Sequence, residues 1–71
     1  MKLNDMKIGD IGKISKMDAP KNIKRRLMEV GFINGSMVRT VLSKKHIRAY
    51  MVKGAVIALR VCDTKNIEVE V

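Results

Sequence analysis

Cys62, Asp63 and His46 are the residues whose chemical types could support a reaction or hold a metal, and the sequence has one Cys and one His. A thiol and an imidazole can act as nucleophile and general base when a third group orients the imidazole, but the sequence indicates no such group. The three residues also lack the paired spacing of structural zinc sites. Ferrous iron accepts imidazole and carboxylate together, which leaves a weak or intersubunit site as an alternative. We therefore predict that the chain is not an enzyme, with no cofactor and no metal-binding residue of its own.

The segment Gly9-Asp10-Ile11-Gly12 is rich in glycine but does not read as a phosphate-binding loop. It has neither the GxGxxG nor the Walker pattern, and no helix follows it directly. We predict instead that Gly9 lies in a turn and that Gly12 forms a β-bulge.

Basic residues are abundant enough to make nucleic-acid binding a serious alternative. Barrels that bind single strands display several aromatic side chains for stacking, whereas this chain has Tyr50 as the one available candidate, since Phe32 belongs to a helix cap. We favour a scattered charged surface and expect no nucleic-acid partner. The basic residues that could contact phosphates are Lys21, Lys24, Arg25, Arg26, Lys44, Lys45, Arg48 and Lys53.

One helix is predicted, from an N-cap at Asp18 through Pro20 in its first turn to about Val30. Apolar residues recur at i, i+4 and i+7 along one face. Gly31 follows where a helix ends in the left-handed conformation, and Phe32 is then placed to contact the last apolar turn across a Schellman cap. The apolar face consists of Ile23, Leu27 and Val30, with Met28 beside it.

The rest of the chain has the alternation typical of strands. We predict strands at residues 11–17, 36–43, 47–52, 55–60 and 67–71, with a helical turn or loop near 62–66. Asn34-Gly35 supplies a turn before the second strand, and Lys53-Gly54 joins the third and fourth as a hairpin. Short strands in this number usually close into a small barrel. The predicted fold is mainly β, an SH3-like barrel of about five strands with one α-helix inserted after the first strand, and an OB-like barrel is the alternative.

Length and composition restrict the class of protein. Seventy-one residues form a single domain, residues 1–71, with a small core. The net charge is +8, from 15 Lys and Arg against 7 Asp and Glu, which favours acidic partners. The longest apolar run, residues 55–59, is too short to span a membrane. With one cysteine and no apolar segment after the first residues, we expect a cytoplasmic protein. Methionines and short edge strands permit weak self-association without requiring it.

The order of glycines and apolar residues along the chain resembles the FeoA family of small cytoplasmic proteins of bacterial ferrous iron uptake. The resemblance extends from about Leu3 to Val71, and Asn34-Gly35 stands where the family usually has Pro-Gly. The segments that carry it are Gly9-x-x-Gly12-x-Ile14, Arg26-Leu27-x-x-x-Gly31-x-x-x-Gly35, Gly54-x-x-Ile57-Ala58-Leu59-Arg60 and Ile67-x-Val69.

The resemblance implies an SH3-like barrel and an accessory role beside FeoB, the membrane transporter of iron(II) with a cytoplasmic GTP-binding domain. Similar domains in metal-dependent regulators contribute to metal sites, so a metal-sensing module is a further alternative. The loop between the second and third strands commonly holds a Gly-Asp-Pro segment in the family, and here it is shorter and basic. The predicted docking surface combines charge with an adaptable methionine. It consists of Lys24, Arg25, Met28, Lys44, Lys45 and His46.

Overall fold

The computed structural model describes residues 1–71 and confirms a mainly β fold with one helix after the first strand. A short 3-10 helix precedes the first strand, and a four-residue helix precedes the last. The elements are the 3-10 helix Leu3–Asp5, β1 Ile11–Met17, α1 Lys21–Glu29, β2 Met37–Ser43, β3 Ile47–Val52, β4 Ala55–Arg60, α2 Val61–Thr64 and β5 Ile67–Glu70.

The five strands form one antiparallel sheet in the order β4-β3-β2-β1-β5. The sheet is an SH3-like barrel, as the sequence predicted. Its outer strands, β4 and β5, are not paired with each other. Closure of the barrel is therefore incomplete, and β4 keeps a free edge.

Asn4 bridges the part of the barrel where the strands do not close. Its Nδ2 donates to the carbonyl oxygen of Val61 at 3.0 Å. Its Oδ1 accepts hydrogen bonds from the Thr64 hydroxyl at 2.8 Å and from the Tyr50 hydroxyl at 3.4 Å. One amide therefore joins the 3-10 helix to α2 and β3, and it satisfies two hydroxyl groups of fully or almost fully buried residues.

Helix α1 ends in the predicted Schellman cap. The Phe32 N–H donates to the Leu27 carbonyl at 2.9 Å and the Gly31 N–H to the Met28 carbonyl at 3.1 Å, the two hydrogen bonds that define this motif. Gly31 has a φ of +87°, where a side chain would be strained. Val30, predicted on the apolar face, is the C-cap residue and is 42% exposed. The cap therefore turns the chain sharply from α1 toward β2.

The start of α1 differs from the sequence-based expectation. The N-cap is Pro20, not Asp18, and no side chain caps the helix. Pro20 has a φ of −53°, and its ring fixes this angle near the helical value. The Lys24 N–H donates to the Pro20 carbonyl at 2.8 Å, which makes Pro20 the residue that begins the helical hydrogen bonding.

Gly12 in β1 permits a close approach rather than a bulge. A Cβ at this position would lie 2.9 Å from the Met6 sulfur and 3.2 Å from the Val69 Cβ. The register shift between β1 and β5 falls between Ile14 and Lys16, not at Gly12. The absent side chain lets the lead-in segment and β5 pack against the backbone of β1. The other glycines, Gly9, Gly35 and Gly54, have positive φ.

The core is one apolar cluster whose buried members come from the 3-10 helix, α1, every strand except β4 and the connecting segments. The rings of Phe32 and Tyr50 meet edge to face, with centroids 6.1 Å apart, which is a favoured arrangement for aromatic pairs. Ala19, Ile57 and Leu59 pack against the cluster while partly exposed. Its buried members are Leu3, Met6, Ile14, Met17, Ile23, Leu27, Phe32, Val38, Tyr50, Val52, Ile67 and Val69.

Candidate docking surfaces

The fold brings His46 and Cys62 to one surface cavity. His46 lies in the loop between β2 and β3, and Cys62 is the second residue of α2. The Val61 N–H donates to the His46 carbonyl at 2.9 Å, which holds the two segments together. The same cavity is lined by the cationic residues Lys45, Arg60 and Lys65. The thiol and imidazole thus share a strongly basic surface.

A carboxylate that could complete a site with His46 and Cys62 is already engaged. Asp63 Oδ2 accepts a hydrogen bond from Arg60 Nε at 3.1 Å. The chain contains no group of three or more His, Cys, Asp or Glu side chains arranged to hold a metal ion. Lys45 and Lys65 beside the cavity repel a divalent cation. What this cavity offers chemically is positive charge.

The one aromatic side chain considered for base stacking is inside the core. Tyr50 is fully buried, and desolvation raises the pKa of its hydroxyl to about 12, against a smaller lowering by the charge of Arg48. Phe32 is fully buried as well. The surface therefore has no aromatic ring on which a nucleotide base could stack, which removes the main feature expected of a barrel that binds single-stranded nucleic acid.

The helix residues of the predicted docking surface are exposed. Met28 is 54% exposed and lies one turn after Lys24 on the same side of α1. Both residues line a shallow depression with Met17, Ile33 and Asn34. Arg25 is exposed on the same helix. An apolar side chain next to free cations is thus presented to solvent, and we name Lys24, Arg25 and Met28 the helix patch.

The loop residues of the predicted surface are exposed, and Lys45 and His46 line a different depression from that of the helix patch. Lys45 and His46 line the cavity beside Cys62, and no residue of that cavity lines the depression next to Met28. The Lys44 N–H donates to the Ile47 carbonyl at 2.9 Å, which makes the loop a tight turn. The loop and the helix patch therefore line different depressions, and we describe them as two cationic surfaces.

A third surface, a groove of about 460 Å³ between α1 and β4, was missed by the sequence reasoning. One wall consists of Ile23, Arg26 and Leu27 of α1 with the C-cap residue Val30, and β4 contributes most of the other wall. A signal for it was present in the sequence. The run of apolar residues 55–59 carries no charge on either face, which is unusual for a strand with one solvated face. The residues of that other wall are Ile57, Ala58, Leu59 and Arg60 of β4 and Asp63 of α2.

Few of the exposed cations are neutralised within the chain. The structure contains two ion pairs, Lys16 with Glu68 at 4.0 Å and Arg60 with Asp63 at 3.1 Å. Arg26, the helix patch and the loop at 44–46 take part in neither. Their charges are free to meet an acidic partner. None of the helices combines the length and the apolar character needed to cross a membrane.

Comparisons with known proteins agree with this architecture. The family model of the FeoA domain matches residues 1–71. No curated protein matches the sequence. The solution structure of the FeoA protein from Chlorobium tepidum superposes with a TM-score of 0.90 at 23% identity, and the match covers 100% of this chain and 70% of that one.

Two further solved structures carry descriptions of their role. Iron(II) transport protein A from Clostridium thermocellum has a TM-score of 0.89 at 25% identity, and the match covers 100% of this chain but 45% of that one. FeoA from Stenotrophomonas maltophilia, complexed with zinc, has a TM-score of 0.80 at 26% identity, with 99% and 89% coverage. That protein is described as a prokaryotic SH3 domain protein and a candidate ferrous iron transport activating factor.

Proposed function

This chain belongs to the FeoA family, and from that premise we propose that it is a non-enzymatic accessory protein of ferrous iron uptake. It acts in the cytoplasm by docking onto the cytoplasmic side of an FeoB-like, GTP-dependent iron(II) transporter. The role in iron transport is supported by the descriptions of the similar proteins from C. thermocellum and S. maltophilia.

The observation that carries the docking proposal is the exposure of Met28 within the helix patch. A methionine that is 54% exposed in a chain with a core of 12 buried apolar residues leaves apolar area in water that a partner can cover. Methionine adapts its shape to a partner surface, and the charges of Lys24 and Arg25 can steer an acidic partner toward it. We propose the helix patch as the main contact with the transporter.

The loop of Lys44, Lys45 and His46 is proposed as a second contact. Its cations are reinforced by Arg60 and Lys65 on the neighbouring segment, so this side of the molecule also attracts acidic surfaces. Because the loop and the helix patch line different depressions, the two contacts should contribute independently. Changes at distant sites without shared partners usually add.

The test is a binding assay between the whole chain and the cytoplasmic part of the cognate transporter in each nucleotide state, repeated with the intact transporter. The double variant Lys24→Glu/Arg25→Glu should weaken binding by about fivefold or more, because each exposed ion pair contributes up to about 1 kcal/mol. Lys44→Glu/Lys45→Glu should weaken it separately.

The single variant Lys24→Glu is also measured, and Lys13→Glu is its matched control, because it reverses one exposed charge in β1 outside both surfaces. It changes the net charge without touching the proposed contacts. If Lys13→Glu weakens binding as much as Lys24→Glu does, net charge and not position decides the interaction. No binding to any form of the transporter would refute the docking function.

A further inference from the structure

The outer edge of β4 is unpaired, and Ile57, Ala58, Leu59 and Arg60 of this strand line the groove. In an antiparallel pair, residues alternate between positions bonded to the neighbouring strand and positions that point away from it. The two-residue turn Lys53-Gly54 makes Val52 and Ala55 the first bonded pair. The alternation then directs the N–H and C=O of Val56 and Ala58 away from β3.

The opposite end of the hairpin gives the same alternation. Ile47 lies opposite Arg60, and the next pair is bonded, because the Val61 N–H donates to the His46 carbonyl at 2.9 Å. No other strand lies beside β4 on its outer side. Val56 and Ala58 therefore carry the donors and acceptors that an added strand requires.

The side chains around this edge are apolar. Ile57 and Leu59 are partly exposed and pack against the core, and Val56 on the other face is 57% exposed. Across the groove, α1 contributes Val30, which is 42% exposed. An apolar, uncharged edge strand is the kind that natural proteins protect by charges or by a partner.

The charge around the groove selects the partner. Arg26 lines the groove without an ion pair, and Arg60 stands at its end with Asp63 as the one carboxylate. With a net charge of +8 on the chain, an acidic segment is attracted and a basic one is repelled.

We propose that the groove between α1 and β4 binds an extended acidic segment of the partner protein by adding it as a sixth strand beside β4. The backbone of the segment pairs with Val56 and Ala58. Its apolar side chains cover Ile57, Leu59 and α1, while its carboxylates meet Arg26 and Arg60. The inference deepens the docking function proposed above, because it names the kind of partner segment that docks and a surface separate from the helix patch.

A second copy of this chain is the competing occupant, through pairing of two β4 edges. Two such copies would bring two charges of +8 together, with few carboxylates at the groove to compensate them. Like charges across an interface oppose association. The acidic strand is therefore the occupant that charge favours.

The first experiment uses a capped eight-residue peptide that alternates valine and glutamate, with the matching valine–lysine peptide as its control. Amide hydrogen exchange of the whole chain is followed by NMR. We expect the valine–glutamate peptide to slow exchange at Val56 and Ala58, and the valine–lysine peptide to leave both unchanged. Equal effects of the two peptides, or shifts confined to the helix patch, would overturn the proposal.

Two variants, each with its own control, test the backbone pairing and the charge of the groove. Ala58→Pro removes an outward N–H while leaving the hydrogen bonds between β3 and β4. It should weaken binding of the valine–glutamate peptide by about fivefold. Ala58→Ser keeps the N–H and should bind as the parent does. Arg26→Glu, on the helix wall, should weaken binding by about fivefold even if Ala58→Pro does not fold. Lys21→Glu, which reverses an exposed charge on the same helix outside both the groove and the helix patch, is its control.

The outcomes separate this inference from the docking function itself. If Arg26→Glu and Ala58→Pro bind the transporter as the parent does while Lys24→Glu/Arg25→Glu does not, the groove proposal is wrong and docking through the helix patch stands. If the peptide binds the groove as described but the transporter does not bind at all, docking on the transporter is wrong. A concentration-dependent dimer that protects Val56 and Ala58 without peptide would replace the acidic strand by a second copy.

Discussion

At the residue scale, burial assigns Tyr50 a role different from the one that its type suggests. A lone tyrosine in a basic chain is a candidate for stacking on a base, but here the ring is fully buried against Phe32. Its hydroxyl donates a hydrogen bond to Asn4 Oδ1 at 3.4 Å, and the same oxygen accepts a hydrogen bond from the Thr64 hydroxyl. Tyr50 is therefore a core residue whose polar atom helps to join the 3-10 helix, α2 and β3.

The ionisation of Tyr50 gives a direct test of this burial. Desolvation raises its pKa to about 12, so the folded state binds the phenolic proton more tightly than the unfolded chain does. The stability contributed by the neutral ring is complete below about pH 10, the unfolded pKa, and is lost as the pH rises toward 12. Because the chain has one Tyr and no Trp, tyrosinate absorbance reports this residue alone.

The measurement is a spectrophotometric titration of the native chain and of the chain in denaturant. We expect a midpoint of about 12 in the native protein and about 10 in the denatured one. Tyr50→Phe should remove the signal and reduce the loss of stability at high pH. A native midpoint equal to the denatured one would mean that the ring is open to water.

At the element scale, α1 serves both the core and the surface. Leu27 is 2% exposed, while the next residue, Met28, is 54% exposed. Adjacent residues on a helix point about 100° apart, so one short element can bury one side and present another. The Schellman cap at Gly31 ends the helix and directs Phe32 into the core.

The two sides of α1 should respond differently to truncation. Leu27→Ala should lower the free energy of unfolding by about 2–5 kcal/mol, because it leaves a cavity in the core. Met28→Ala should change it by no more than about 0.5 kcal/mol and should instead weaken binding to the transporter. Urea denaturation of both variants checks this, with Met28→Ala as the matched control. An equal loss of unfolding free energy in the two variants would show that Met28 belongs to the core.

At the scale of the whole molecule, one small core holds all five strands and α1 together. The 12 buried apolar residues come from both ends of the chain, including Leu3 and Val69. The Val69 N–H also donates to the Met1 carbonyl at 2.8 Å. No part of the chain has a core of its own, so the molecule should fold as one unit.

Unfolding is therefore expected to occur in a single cooperative transition. Far-ultraviolet circular dichroism follows the sheet, and the near-ultraviolet signal of Tyr50 follows the core. The two curves should coincide in urea. Retention of the sheet signal after the Tyr50 signal has disappeared would contradict a single cooperative domain spanning residues 1–71.

Much of the fold could be predicted because its signals are local. Gly31 after an apolar helical face predicts the cap, since the left-handed conformation is a property of that one residue and its neighbours. The alternation at Ile67 and Val69 predicts a strand with one buried face, as observed. The predictions of an N-cap at Asp18 and of a bulge at Gly12 were wrong. Pro20 is the N-cap residue, and Gly12 is needed for packing against residues remote in sequence.

The sequence by itself determined the strands, the helix, its C-terminal cap and the net positive charge, because these depend on neighbouring residues or on composition. Only the tertiary structure decided that β4 keeps an unpaired edge facing α1, that His46 and Cys62 share a cavity, and that Tyr50 lies in the core. Each of these depends on which strands pair and how far the sheet curls, and such contacts join residues far apart in the chain.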